Sequence, residues 1–143
     1  GQKELGRGDF RKIPNGLPGV EDRVDLLHDG GVLTGKITKE RWVEICSTSP
    51  ARLFGMYPKK GVIAVGSDAD IVIYNPDATR TISATTHHMD VDYSCYEGRE
   101  VKGKSEIVMV RGKVIVEGDK FLGHEGDGRF LHRSPAEYAR RQL

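Results

Sequence analysis

The chain is short of cysteine, of tryptophan and of net charge. Its 143 residues include two cysteines and one tryptophan, and 22 basic side chains against 21 acidic ones leave a formal charge of +1 at pH 7. Cys46 and Cys95 lie in different kinds of segment with no CxxC spacing, which argues against a disulfide framework or a structural zinc site, so both are expected as reduced thiols. Near-neutrality advertises no basic face for nucleic acid and no acidic tail. No apolar run approaches the roughly 20 residues of a membrane span, and Gly1 to Arg7 is not a signal peptide. The expectation is a soluble, cytoplasmic protein that binds neither nucleic acid nor membrane. Metal-binding spacings are scarce too. His87 and His88 are adjacent, whereas His-x-His would put both rings on one strand face and His-x3-His on one helix face. With Asp90, Asp92 and Tyr93 close by, a metal site and a surface loop with an aromatic anchor are the two readings of that run.

What is present is punctuation. Eighteen glycines and six prolines are spread along the chain and mark off short elements. The pattern changes at Lys59–Pro76, from helical to strand-like. Gly61 and Gly66 bracket an expected extended piece, Val62–Val65, and Ile71-Val72-Ile73 is an unbroken apolar run that suits a strand covered on both faces. Asp68 and Asp70, at the mouth of that strand, read as acceptors for turn N–H groups in preference to a catalytic pair.

Upstream, Ile13-Pro14-Asn15-Gly16-Leu17-Pro18-Gly19 reads as a structured loop. Asn-Gly favours a turn with positive φ, and the prolines keep the flanks extended, so Asn15 can present its own N–H and C=O outward to an amide edge; a plain connecting loop is the alternative. Val20–His28 has helical spacing, with Gly30-Gly31 as its stop. Thr38 is an expected N-cap, and Trp42, Ile45, Cys46 and Ser49 fall on one side of the helix that follows, making Cys46 a buried small apolar group in preference to a nucleophile. Ser49-Pro50 is an expected cap for a third short helix ending at Gly55. These helices have apolar faces and no evident strand to cover.

Downstream, Asn75-Pro76-Asp77 is an expected turn, followed by a short β-prone piece at Arg80–Ser83. Ile107–Val110 and Val114–Val116, joined by Arg111-Gly112, are an expected hairpin. Phe121–Leu143 has no core pattern of its own, and is expected to fray or to lie on a neighbouring subunit through Phe130 and Leu131.

Four stretches, in order and at the expected spacing, resemble successive signatures of the D-hydantoinases and dihydropyrimidinases, cyclic amidohydrolases of the amidohydrolase superfamily. They are FRKIPNGLPGVEDR (10–23), SPARLFGMYPKKG (49–61), IAVGSDADIVI (63–73) and THHMDVDY (86–93). The third alone would fit many superfamily members. The resemblance implies an α+β fragment, the C-terminal portion of a longer enzyme. Residues 1–57 would be the end of a (β/α)8 barrel, 58–120 the C-terminal strands of a small composite β-sandwich, and 121–143 an arm between subunits of a homotetramer. It implies hydrolysis of the ring amide of hydantoins or dihydropyrimidines to N-carbamoyl amino acids, using two zinc ions bridged by a carbamylated lysine. None of the family's zinc ligands or its catalytic aspartate matches a residue here, so no catalytic residue and no zinc are expected in this fragment. His28, His87, His88, His124 and His132 are not carried over. One position does transfer: the backbone of Asn15, which would read the amide edge of the substrate ring. A non-catalytic dihydropyrimidinase-related scaffold protein is the alternative; those relatives usually lack the equivalent of Asn15.

Overall fold

The computed structural model describes residues 1–136. The chain is α+β: two short 3-10 turns (Gln2–Gly6 and Phe10–Lys12), three short helices, then four strands. The helices are α1 (Arg23–Leu27), α2 (Lys39–Val43) and α3 (Ser49–Leu53). The strands β1 (Ile71–Thr81), β2 (Glu100–Val110), β3 (Lys113–Glu117) and β4 (Lys120–Phe121) form one antiparallel sheet in chain order.

The helical path is longer than the sequence suggests. A π turn, His28–Val32, continues α1 through Gly30-Gly31. Those glycines do not stop the helix. A side chain on Gly31 would meet Ile37 at 3.0 Å, so Gly31 admits a close neighbour, and Gly35, with φ +72°, takes the left-handed position that ends the run. Thr38 caps α2 as expected, accepting the Arg41 N–H at 3.2 Å. Ser49, by contrast, is not a cap. Its φ of −63° and ψ of −46° are helical, and its N–H bonds back to Glu44 across a second π turn, Glu44–Thr48. The wider turn admits Pro50, which has no N–H to give, so α2 and α3 form one bent helical run ending at Gly55 (φ +68°).

Val62–Val65 forms no strand; Ile63 and Val65 are fully exposed in a loop between Gly61 and Gly66, both of positive φ. Nor does Asn75-Pro76-Asp77 reverse the chain. β1 runs straight through it, with a register shift between Asn75 and Thr79, because the Asn75 side chain accepts the N–H groups of Asp77 (3.0 Å) and Ala78 (3.2 Å). The expected turn is therefore a bulge within one strand. The hairpin stands as read: Arg111 (φ 50°) and Gly112 (φ 79°) form a two-residue turn that pairs Val110 with Lys113.

Among the described residues only Ala51, Ile82 and Val101 are buried apolar side chains. Val72 and Ile73, on opposite faces of β1, are about half exposed, so neither face of the strand is fully covered at that end by the described residues. The helices do find part of the sheet. Asp22 and Asp25 of the α1 region reach Arg80 of β1, and His28 lies between Trp42 and Tyr74. The described end of the tail folds back on its own chain, where the Ser134 N–H donates to the Gly55 carbonyl at 2.9 Å. The remainder of the expected arm, 137–143, lies outside the described residues.

Candidate functional site

The Asn15 turn is built by its neighbours in space. Pro14 and Pro18 hold its flanks, and Gly16 takes φ +85°. Lys3, in the first 3-10 turn, donates from Nζ to the carbonyls of Pro14 and of Gly16, the latter at 2.8 Å. The Tyr93 hydroxyl donates to the same Gly16 carbonyl at 3.4 Å, and the Cys95 thiol reaches the Pro18 carbonyl at 3.3 Å. Asn15 itself is exposed, and among the described residues neither its N–H nor its C=O has a hydrogen-bond partner. An exposed donor and acceptor on one residue, with the carbonyls on either side already occupied, can take a cis-amide or imide edge as a matched pair of hydrogen bonds.

The loop that supports this turn, residues 85–96, carries the aromatic anchor expected of it in Tyr93, and its ends are tied down by charge. Glu21 accepts the His88 backbone N–H at 2.7 Å and faces its Nδ1 at 2.9 Å, while the Asp119 carbonyl faces Nε2 at 3.2 Å. Glu21 in particular raises the His88 pKa above the usual imidazole value. Asp92 accepts from Gln2 N–H at 3.3 Å.

A buried charged cluster ties the α1 region to β1. Arg80 donates from Nη2 to Asp22 (2.7 Å) and from Nε to Asp25 (2.8 Å). Asp22 spends its carboxylate on Arg80 and leaves the start of α1 without a side-chain cap. Burial pushes the Asp25 carboxyl up, with Arg80 opposing, and the same burial together with Asp25 raises the Tyr74 phenol. His28, almost fully buried, donates from Nδ1 to the Lys102 carbonyl at 2.9 Å, and its ring, Trp42 and Tyr74 pack mutually with centres 4.9–5.2 Å apart. This cluster fastens helices to sheet.

Other residues singled out from the sequence take structural roles. Lys59 and Lys60 each pair with Asp68 at 2.9 Å and hold its carboxyl down to about 2, and Asp70 accepts the Arg111 N–H at 2.9 Å and pairs with Lys60. Burial raises the thiol of the half-buried Cys46, which disfavours the thiolate a nucleophile would need. Among the described residues no three His, Cys, Asp or Glu side chains are grouped to hold a metal ion. Lys3 carried no local signal, since it meets the carbonyls of the Asn15 turn across 11 and 13 positions of chain.

The amidohydrolase family model matches residues 20–115. The chain is 56% identical over 138 residues to a D-hydantoinase of Streptomyces coelicolor, covering 96% of this chain and 29% of that protein. It is 50% identical over 134 residues to the dihydropyrimidinase of Rattus norvegicus, covering 94% and 26%. Among solved structures, the D-hydantoinase of Bacillus sp. AR9 matches with a TM-score of 0.89 at 54% identity, over 94% of this chain and 29% of the other. The L-hydantoinase of Arthrobacter aurescens matches with a TM-score of 0.83 at 38% identity, over 92% and 29%. The chain thus spans under a third of the length of these relatives.

Proposed function

The chain belongs to the amidohydrolase family, and from that premise we propose that it is the C-terminal part of a cyclic amidohydrolase that opens the ring amide of hydantoins or dihydropyrimidines to give N-carbamoyl amino acids. The observation that carries the proposal is the Asn15 turn: an exposed N–H and C=O, unpartnered among the described residues, in a chain about half identical to D-hydantoinases and a dihydropyrimidinase. In this role the Asn15 N–H donates to a ring carbonyl and its C=O accepts from the adjacent ring N–H. That fixes the ring's orientation while the chemistry proceeds elsewhere.

The family is generally metal-dependent. Two zinc ions bridged by a carbamylated lysine would belong to polypeptide outside these residues. The described residues offer no grouping that fits them, so no step is assigned through metal here. On the same proposal, residues 1–57 are the end of the barrel, 58–120 contribute strands to a composite sandwich that would cover Val72 and Ile73, and 121–143 form an arm between subunits of a homotetramer.

The test is Asn15→Pro in the intact polypeptide, which removes the donor and fixes φ. kcat/KM for hydantoin or dihydrouracil should fall at least tenfold, about 1.4 kcal/mol. Unchanged kinetics refute the role of the turn.

A further inference from the structure

Two carbonyls on either side of Asn15 converge on one ammonium. Lys3 Nζ donates to the Pro14 carbonyl and, at 2.8 Å, to that of Gly16. It also lies 5.5 Å from the centre of the Tyr93 ring, whose hydroxyl reaches the Gly16 carbonyl from another direction. The Pro14 carbonyl and the Asn15 N–H are the two ends of a single peptide group. A cation bound to the oxygen of a conjugated amide draws electron density from the nitrogen and makes its N–H a stronger donor. By occupying both flanking carbonyls, the same ammonium leaves Asn15's own C=O as the free acceptor of the turn. Lys3 is half-buried, so its charge is less screened than that of an exposed lysine.

Resting on the role given to Asn15 above, we infer that Lys3 is a positioning residue for the ring amide: its ammonium holds the 14–16 turn open and polarises the Asn15 N–H through the Pro14–Asn15 peptide. Lys3 acts on the ligand through that peptide.

Lys3→Met, Lys3→Arg and Asn15→Pro are compared in the intact enzyme with hydantoin as substrate. Lys3→Met keeps the stem and loses the charge. Its KM should rise about tenfold with kcat within about twofold, as expected when an interaction made equally in bound substrate and transition state is weakened. Lys3→Arg, with a cation and several donors, should recover most of the affinity. If Lys3→Met does not fold, Lys3→Gln supplies the same comparison, keeping N–H donors without the charge. Three results overturn the inference. An unchanged KM in Lys3→Met, with Asn15→Pro impaired, removes Lys3 and leaves Asn15 standing. A fall in melting temperature and kcat with KM unmoved makes Lys3 merely structural. An Asn15→Pro enzyme with unaltered kinetics removes the premise itself.

Discussion

Arg80 donates from Nη2 to Asp22 at 2.7 Å, and Asp22 has no solvent exposure at all. The same guanidinium turns its Nε to Asp25 at 2.8 Å, so one β1 side chain holds the whole start of α1 from 55 and 58 positions away. Two carboxylates share one cation, and one oxygen of each, Asp22 Oδ2 and Asp25 Oδ1, has no partner among the described residues. Arg80→Met strands both acids and should cost about 3–5 kcal/mol. Replacing the acids as well (Arg80→Met with Asp22→Leu and Asp25→Leu) should regain most of that loss, since an apolar trio leaves no buried charge unpaired. Urea unfolding of the intact polypeptide reads both. A single-variant loss below about 1 kcal/mol, the range of exposed pairs, would contradict the arrangement.

Gly103, in β2, is the point where the sheet lets this cluster in. A Cβ there would stand 2.2 Å from the Tyr74 hydroxyl and 2.6 Å from His28 Nδ1, and the residue's φ is +107°. Space and backbone both exclude a side chain. Gly103→Ala should therefore destabilise by about 2–4 kcal/mol through overpacking and strain together. Adding Tyr74→Phe removes the hydroxyl and leaves the ring Cζ at 2.8 Å, the His28 contact at 2.6 Å and the φ, so it should recover only part. Full recovery in the double variant would show that backbone conformation is not at issue.

Local chemistry made several features legible in the sequence. The Arg111-Gly112 hairpin, the Thr38 cap and the Gly55 stop each rest on one or two residues whose preferences decide the matter at that spot. Asn15 was legible as a turn from Pro-Asn-Gly, and as a ligand-reading position only through the family resemblance. Features made by distant partners were hidden. Pro50 looks like a helix start until the π turn before it absorbs the missing N–H, and Asn75-Pro76-Asp77 looks like a reversal until the Asn75 side chain closes a bulge inside β1. Asp22 looks like a helix-start acid, whereas a buried guanidinium competes better for it than solvated N–H groups do. Lys3 looks like one of many surface lysines, because nothing near it in sequence announces the two carbonyls it binds.

The loop that supports the Asn15 turn has its own titration. His88 sets Nδ1 against Glu21 at 2.9 Å and Nε2 against the Asp119 carbonyl at 3.2 Å, so both ring nitrogens face acceptors, which raises the pKa of the ring. The Asp119 carboxylate itself is engaged by Lys104 at 2.5 Å. Because the folded-state pKa lies above the unfolded value of about 6.5, the stabilisation is fully present below that value and is lost as pH rises through the higher folded one. The His88 side chain is about one-third exposed, so solvent screening holds the effect under about 1 kcal/mol. Thermal midpoints of the intact polypeptide should therefore fall slightly as pH rises above about 6.5. Glu21→Gln, whose amide oxygen can still accept the His88 N–H while the negative charge is gone, should flatten this slope. Since the same loop brings Tyr93 to the Gly16 carbonyl, KM for hydantoin should rise over the same interval in the wild type and less in Glu21→Gln. A pH slope identical in the two proteins would place the titrating group elsewhere.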